Sequence, residues 1–261
     1  MNLADALLPL LPSGSGVIAF VGAGGKTTAM FRLAGELETR GRSVLVTTTT
    51  HLFDPRRESR VPAGRLVFRP EMEFPYTGDA GFAGVDAGPG ITLLVSREAE
   101  EPGKVKGIHP SWVPALRPAG DFVLVEADGS RRLPLKSPGN DEPVLPPDTD
   151  LVIGVVGLDG MGRPMDGRTV HRPERFAQVT GCEPGSPVAW EHLVALVRHP
   201  DGLFRGAPAA RALLLNKVDA APFLPSREQL AALEVERVLV CCLEGEPSVT
   251  VFRREVETAC R

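Results

Sequence analysis

The stretch of sequence that determines the fold is Gly22-Ala23-Gly24-Gly25-Lys26-Thr27-Thr28. It follows an apolar run, residues 17–21, whose length and composition are typical of a buried parallel strand. It precedes a segment in which apolar residues recur at helical spacing, from Met30 to Leu37. A strand, a glycine-rich turn and a helix, in that order, form the structural context of a phosphate-binding loop (P-loop). The sequence therefore predicts that nucleotide phosphates bind at residues 22–28.

The residue types in this stretch suit phosphate and magnesium chemistry. Glycines without a Cβ let backbone N–H groups approach phosphate oxygens, and the N-terminus of the following helix adds partial positive charge. Lys26 is expected to reach the β- and γ-phosphates, and the Thr27 hydroxyl to bind Mg²⁺. Phe20 departs from the pattern G-x-x-x-x-G-K-[ST], because it occupies the place of the first glycine. The remaining G-x-x-G-K-T-T resembles the nucleotide loop of Mur-type peptide ligases. The alternative is a glycine-rich turn with a surface lysine.

A second element expected to act on phosphate is the acidic end of another buried strand. The apolar residues 122–125 run into Glu126-Ala127-Asp128-Gly129-Ser130. A carboxylate in this place, opposite a P-loop, binds Mg²⁺ or orients the attacking water. We therefore predict Glu126 and Asp128 as catalytic and metal-binding residues beside Lys26 and Thr27. The alternative is an Asp-Gly turn, which is common at strand ends.

A third element predicts which base is bound. A buried strand, residues 213–215, runs directly into Asn216-Lys217-Val218-Asp219, the N-K-x-D pattern of GTPases. A carboxylate such as Asp219 accepts from both N1–H and the 2-amino group of guanine, Asn216 contacts the other edge, and the Lys217 stem packs against the ring. Lysine supplies only five of the 29 basic residues, which makes a chance match less frequent. The alternative is a helix N-cap at Asp219.

The order of these elements predicts an α/β P-loop NTPase with a mainly parallel, doubly wound sheet. Further buried strands are predicted at residues 43–46, 151–156 and 238–242, and helices at 173–180, at 188–198 and at the C terminus. The proline- and glycine-rich residues 54–121 are expected to form an irregular insertion, in which strands 91–95 and 105–108 pair as an edge hairpin. Because no repeat or long linker interrupts the chain, we predict one domain over residues 1–261.

Composition narrows the cellular setting and the partners. The 261 residues are 43% apolar with a net charge of −4, which provides no basic footprint for nucleic acid or an anionic membrane. The four cysteines show no C-x-x-C spacing, and residues 1–12 lack the basic start of a signal peptide. No apolar run approaches the ~20 residues that span a bilayer. We therefore expect a cytoplasmic protein that binds neither nucleic acid nor membrane.

Together, the motifs resemble those of a known family. They are G-A-G-G-K-T-T at 22–28, V-T-T-T-T-H at 46–51, V-E-A-D-G-S at 125–130, V-V-G-L-D at 155–159, V-H-R-P-E at 170–174 and L-N-K-V-D at 215–219. This set is similar to that of the YqeC family, accessory proteins of selenium-dependent molybdenum hydroxylases, over residues 17–219. The resemblance implies a cytoplasmic nucleotide-binding protein that helps to mature a molybdenum–selenium enzyme, its partner being that enzyme or its cofactor-assembly machinery. The acidic strand end and N-K-x-D are also similar to those of nickel-enzyme maturation GTPases, although Phe20 and the missing Cys/His cluster depart from that pattern.

These observations favour a slow hydrolase of Mg·GTP that serves as a timing device, with ATP as the other nucleotide considered. Two alternatives stay open: an ATP-dependent ligase or kinase that uses G-x-x-G-K-T-T, and a non-catalytic module switched by nucleotide. Mur-type ligases need further domains and have no use for N-K-x-D, which counts against the first. Residues 47–51, His171 and Lys136 could face phosphate or substrate, or serve packing and solvation alone.

Overall fold

The computed structural model describes residues 1–11, 13–54, 64–77, 84–85, 87–208, 210–244 and 248–253. Its helices are α1 (Leu3–Leu7), α2 (Lys26–Glu38), α3 (Val113–Leu116), α4 (Pro173–Thr180), α5 (Trp190–Arg198) and α6 (Arg227–Ala232). Its strands are β1 (Gly16–Gly22), β2 (Val44–Thr48), β3 (His51–Phe53), β4 (Arg65–Phe68), β5 (Ile91–Val95), β6 (Arg97–Glu98), β7 (Lys104–Lys106), β8 (Phe122–Glu126), β9 (Leu135–Lys136), β10 (Leu151–Gly157), β11 (Val170–His171), β12 (Arg211–Asn216), β13 (Arg237–Cys242) and β14 (Ser248–Arg253).

Nine of these strands form one central sheet, in the order β14-β13-β12-β10-β1-β8-β2-β5-β4. Every neighbouring pair in this sheet is parallel except β13 with β14 at one edge. The central strand, β1, pairs with β10 on one side and with β8 on the other. The structure is therefore a mixed α/β fold with a mostly parallel sheet, as the sequence predicted.

The alternation of side chains along β1 explains how helices cover both faces of the sheet. Ile18 and Phe20 belong to an apolar cluster with α1 and α2, whereas Ala19 and Val21 belong to a second cluster with α4, α5 and α6. A third cluster packs α3 against the second face, beside Val17. Successive side chains of a strand point to opposite faces, so a strand covered on both sides must be apolar throughout. All seven residues of β1 are buried accordingly.

The predicted C-terminal helix is wrong for the residues that the structure describes there. Residues 248–253 form β14, which pairs antiparallel with β13. The β-branched residues Val249 and Val251 pack against the first apolar cluster, while alternate residues are exposed. This pattern suits a half-buried edge strand better than a helix. Residues 254–261 lie outside the described part of the chain.

Residues 54–121 are less of an insertion than the sequence predicted, because β4 and β5 extend the central sheet. All five residues of β5 are buried, which fits a strand covered on both faces and not the edge of a hairpin. The hairpin is formed by β6 and β7, and β3 completes a separate three-stranded sheet. The predicted pairing of residues 91–95 with 105–108 is therefore wrong. The rest of this stretch, residues 55–63, 78–83 and 86, lies outside the described residues.

Candidate functional site

Five parallel strands end at the same edge of the central sheet. Their last residues are Gly22 of β1, Thr48 of β2, Glu126 of β8, Gly157 of β10 and Asn216 of β12. Parallel strands run in one direction, so their carboxyl ends open on one edge, which is where open α/β sheets bind ligands. The three elements that the sequence singled out are thus brought to one edge of the sheet.

The turn after β1, which we call the glycine loop (residues 22–28), needs its glycines for two reasons. Gly22, Gly24 and Gly25 have φ angles of 95°, 80° and 124°, a region that other residues rarely adopt. A Cβ on Gly24 would lie 2.1 Å from the backbone nitrogen of Gly157, and one on Gly25 would lie 2.4 Å from Asn216 Nδ2. The glycines therefore allow the loop to pack closely against the ends of β10 and β12.

The backbone N–H groups of the glycine loop fall into two sets. Those of Gly22, Ala23 and Gly24 donate to Asp128 Oδ2, the Val155 carbonyl and the Leu133 carbonyl, at 3.0, 2.9 and 3.0 Å. Those of residues 25–28 open α2 and donate to no acceptor in the described chain, nor does a side chain cap this helix. The first amides of a helix lack intrahelical partners and carry partial positive charge. The donors left for an anion are therefore those of residues 25–28.

The Lys26 side chain is 3% exposed and lies beneath the glycine loop. Its Nζ donates to the Gly22 carbonyl at 2.7 Å and lies 3.2 Å from Asp128 Oδ1. That carboxylate oxygen has no hydrogen-bond partner among the described residues, so the contact between the two charges lacks hydrogen-bond alignment. An ammonium group has three N–H donors, and Lys26 uses one of them in a directed hydrogen bond within the described part of the chain.

Thr27 and Glu126, two of the three residues predicted to bind magnesium, are in direct contact. Thr27 Oγ1 donates to Glu126 Oε2 at 2.7 Å. Burial raises the pKa of the Glu126 carboxyl, while the charge of Lys26 and the Thr27 hydrogen bond act in the opposite direction. Oxygen ligands of this kind, a hydroxyl and a carboxylate, suit Mg²⁺, which takes its other ligands from water and substrate phosphates. The donor set therefore fits the predicted ion.

Asp128 belongs to a series of contacting side chains whose charges alternate in sign. Its Oδ2 lies 2.9 Å from Lys136 Nζ, which also contacts Glu142 Oε2 at 2.5 Å and donates to the Gly129 carbonyl at 2.6 Å. Glu142 in turn accepts two hydrogen bonds from Arg172, at 2.6 and 3.0 Å. Burial alone would raise the pKa of Glu142, but the Arg172 hydrogen bonds and the charge of Lys136 outweigh it and hold the pKa at about 2.

Asn216 joins the N-K-x-D segment to the glycine loop. Its side chain is buried, its Nδ2 donates to the Gly24 carbonyl at 2.9 Å, and its Oδ1 accepts from the backbone N–H of Leu243 at 3.3 Å. The Cys241 thiol lies 3.8 Å from the same oxygen. One amide side chain thus holds three segments together: the glycine loop, the end of β12 and the segment after β13.

Lys217 and Asp219 follow Asn216 at the surface. Lys217 has a left-handed backbone, with φ 61°, and its Nζ lies 2.9 Å from Asp159 Oδ2. Asp219 is exposed in a short 3-10 turn, Val218–Ala220. Burial and then the hydrogen bond with Asp219 raise the pKa of the Cys242 thiol. The Asp219 carboxylate therefore lies near Cys242, at the end of β13.

The residues whose roles the sequence left open make structural contacts. Thr48 Oγ1 donates to the Glu126 carbonyl at 2.8 Å, and Thr49 Oγ1 to the Val144 carbonyl at 2.7 Å, so these hydroxyls fix the end of β8. Thr47 is buried, and within the described chain its hydroxyl has no hydrogen-bond partner. His51 is exposed on β3.

His171 lies in a half-buried position among cations. Burial, followed by the charges of Arg172 and Lys136, lowers the pKa of its imidazole to about 4. The ring is therefore neutral at physiological pH. Its backbone pairs with Lys136 in the small sheet formed by β9 and β11.

Sequence reasoning missed two carboxylates of this region, Glu142 and Asp159. Glu142 lies in a proline-bearing loop, where no pattern distinguishes it from a solvated acidic residue. Asp159 had a usable signal, since it comes two residues after the buried strand β10, as Asp128 comes two residues after β8. Its Oδ1 is buried, and no hydrogen-bond partner for it exists among the described residues.

An open cavity of about 590 Å³ lies away from these residues, near the amino ends of β2 and β8. Its lining includes Arg42 and Asp121, which form an ion pair at 3.1 Å. None of the residues predicted from the sequence as functional lines it. Its charged lining residues are Glu38, Arg42 and Asp121, and the ion pair of Arg42 with Asp121 leaves one carboxylate over. This lining suggests no particular ligand.

Comparison with known proteins assigns the chain to a family. The family model described as YqeC protein matches residues 18–174, more than half of the chain. A protein of Escherichia coli (strain K12) with the name "Uncharacterized protein YqeC" is 40% identical over 194 residues, which cover 74% of this chain and 71% of that protein. No solved structure matches the chain. On these two matches, the chain belongs to the YqeC family.

Proposed function

We propose that this protein is a P-loop NTPase that binds a magnesium–nucleotide complex, GTP in preference to ATP, at the carboxyl edge of its sheet and hydrolyses it slowly. Lys26 and the first amides of α2 bind the phosphates, and Thr27 and Glu126 hold Mg²⁺, which supplies positive charge to the phosphate oxygens. Asn216 and Asp219 recognise the base. The biological role that we propose, in the cytoplasm, is that of an accessory protein in the maturation of selenium-dependent molybdenum hydroxylases. That role rests on the motif resemblance and on family membership.

The observation that carries the proposal is the contact between Asn216 Nδ2 and the Gly24 carbonyl, 2.9 Å across a sequence separation of 192 residues. It brings the segment suited to base recognition against the segment suited to phosphate binding. A nucleotide carries a base and phosphates on one ribose, so a single bound molecule must contact both segments. The adjacency of the two segments is what such a ligand requires.

The residues of the chain supply complementary charges for each part of this ligand. Lys26 and the free amides of residues 25–28 offer positive charge to the phosphates. Glu126 offers a carboxylate beside the Thr27 hydroxyl, where it can hold the ion or accept a hydrogen bond from water. The Lys217 stem, held at its end by Asp159, offers an apolar surface for the base.

The test is a panel of binding measurements by calorimetry, with GTP, ATP and xanthosine triphosphate in the presence of Mg²⁺. Adenine lacks the N1–H and the 2-amino group, so ATP would forgo the hydrogen bonds that guanine can donate to the Asp219 carboxylate, which are worth about 1.5–3 kcal/mol. We expect ATP to bind at least ~10-fold more weakly than GTP. Xanthine presents a carbonyl where guanine has its amino group, so Asp219→Asn is expected to lose affinity for GTP and to gain it for xanthosine triphosphate.

Asp201→Asn is the matched control, because Asp201 is an exposed carboxylate whose ion-pair partner is Arg205 at 3.5 Å. Its affinities should equal those of the wild type. ATP binding as tight as GTP binding would favour the ligase or kinase class, and absence of nucleotide binding would refute the proposal. Phosphate release in a single turnover then separates a hydrolase from a module that nucleotide merely switches.

A further inference from the structure

The Asp128 carboxylate is buried between two lysines and a backbone donor. Its side chain is 1% exposed, and its Oδ2 accepts from the Gly22 N–H at 3.0 Å and lies 2.9 Å from Lys136 Nζ. Its Oδ1 faces Lys26 Nζ at 3.2 Å. Both oxygens thus lie against donors or cations of this chain. A carboxylate in such surroundings is better placed to position the glycine loop than to bind a metal ion.

The ammonium group of Lys136 is surrounded by oxygen atoms. Lys136 is buried, and its Nζ donates to the Gly129 carbonyl at 2.6 Å and forms ion pairs with Asp128 Oδ2 at 2.9 Å and with Glu142 Oε2 at 2.5 Å. Three is the number of N–H donors that an ammonium group has. Lys136 could therefore contact a phosphate only by giving up one of these three contacts, whereas Lys26 has two such contacts, with the Gly22 carbonyl and with Asp128 Oδ1, and keeps one donor for a phosphate.

The charges of this group balance. Three carboxylates, of Glu126, Asp128 and Glu142, lie in one group with three cations, of Lys26, Lys136 and Arg172. Asp128 and Glu142 form ion pairs with these cations, whereas Glu126 interacts with the charges of Lys26 and Lys136 without an ion pair among the described residues. Asp128 lies between the two lysines, so its negative charge is shared between them. The more strongly Lys136 attracts Asp128, the less Asp128 holds Lys26.

We propose that Lys136 is a positioning residue for phosphate binding, which acts on Lys26 through Asp128. This inference rests on the proposed nucleotide-binding function. Lys136 takes up the charge of Asp128 and so leaves Lys26 available to the terminal phosphates. Glu142 opposes this effect, because it competes with Asp128 for Lys136. Arg172 moderates the competition by pairing with Glu142 from the other side.

The proposal predicts that two neighbouring variants differ in their effect on nucleotide affinity: Lys136→Met weakens binding, and Glu142→Gln does not. Lys136→Met leaves Asp128 paired with Lys26 alone and adds one net negative charge beside the phosphates. We expect the dissociation constant of Mg·GTP to rise about 10-fold, the size of coupling that neighbouring charges show. Glu142→Gln removes the competitor for Lys136, so the affinity should stay the same or increase. If these ion pairs served only to keep the site in shape, disrupting them in either variant would weaken binding.

A double variant adds a second test. Asp128→Asn in the Lys136→Met background removes the carboxylate that would otherwise hold Lys26, so the double variant should bind Mg·GTP more tightly than Lys136→Met alone. The control is Lys106→Met, which removes a lysine that pairs with Glu73 at 3.1 Å, outside this network, and should leave affinity unchanged. Thermal unfolding of every variant shows whether it folds.

Failure of the inference is distinct from failure of the proposed function. If the wild type binds no nucleotide, the function itself is refuted. If the wild type binds Mg·GTP, weaker binding by Glu142→Gln, unchanged binding by Lys136→Met, or a double variant weaker than Lys136→Met overturns the positioning role. Should Lys136→Met not fold, the direction of the change in Glu142→Gln decides alone.

Discussion

Replacing Asn216 by aspartate tests the contact that joins the glycine loop to the N-K-x-D segment. The substitution keeps the shape of the side chain and the acceptor for the Leu243 N–H, but it removes the donor to the Gly24 carbonyl. In its place a carboxylate oxygen would face a carbonyl oxygen. The new carboxyl group would be buried, since Asn216 is 2% exposed.

Two costs determine how far Asn216→Asp lowers the free energy of unfolding. Leaving the Gly24 carbonyl without its donor costs about 1–3 kcal/mol. Burial raises the folded-state pKa of the new carboxyl above the ordinary value of about 3.9, and a rise of about 2 units corresponds to about 2.7 kcal/mol. We therefore expect Asn216→Asp to lower the free energy of unfolding by about 4–6 kcal/mol at about pH 8. That is a large part of the total stability of a typical domain.

The cost of burying the new carboxyl group in its ionised form depends on pH, and the direction of this dependence follows from the linkage between proton binding and folding. A group whose pKa is raised in the folded state is neutral in both states below the unfolded-state pKa, so no penalty exists there. As the pH rises from about 4 to about 6, the unfolded state releases the proton first, and the penalty grows by about 2.7 kcal/mol. A protonated carboxyl can also donate to the Gly24 carbonyl, which reduces the first cost at low pH.

Urea unfolding of wild type and Asn216→Asp at about pH 5 and about pH 8 measures the difference. Asn140→Asp is the matched control, because Asn140 is exposed and its Oδ1 accepts from Arg175. The control should change stability by less than about 0.5 kcal/mol at either pH. Two results would refute the buried contact with the glycine loop. One is a loss of unfolding free energy below about 1 kcal/mol for Asn216→Asp, and the other is a loss that is equal at both pH values.

Two further predictions concern hydrolysis and acid stability. Glu126→Gln should lower single-turnover phosphate release by about 100-fold, because it removes the charge next to Thr27 and keeps the shape of the side chain. Nucleotide affinity should change far less. Unchanged turnover would move the catalytic role to Asp128 or away from this strand. Because the pKa of His171 is lowered from 6.5 to about 4, the unfolded state takes up a proton that the folded state excludes, so stability is lost as the pH falls through this window. His171→Gln should remove that part of the loss in urea unfolding, whereas His199→Gln, at an exposed histidine, should retain it; equal pH dependence of the two variants would contradict the prediction.

Several features could be predicted from the sequence because neighbouring residues encode them. The apolar run before the glycine loop dictates a strand buried on both faces, and it is β1 at the centre of the sheet. Positive φ angles at Gly22, Gly24 and Gly25 follow from the absence of a Cβ. Parallel strands place Glu126 and Asn216 at the same edge as the loop. These results depend on local periodicity and on the direction of strands.

Only the tertiary structure decided how the charged side chains pair. From the sequence, Lys136 could either face phosphate or solvate a proline-bearing loop, and the structure buries it between Asp128 and Glu142. Such pairing requires the close approach of separate segments, which periodicity does not report. The same holds for β14, whose alternating exposure became meaningful only beside β13. Residue types and strand ends are properties of the local sequence, whereas the partner that neutralises a buried charge is set by the packing of the whole chain.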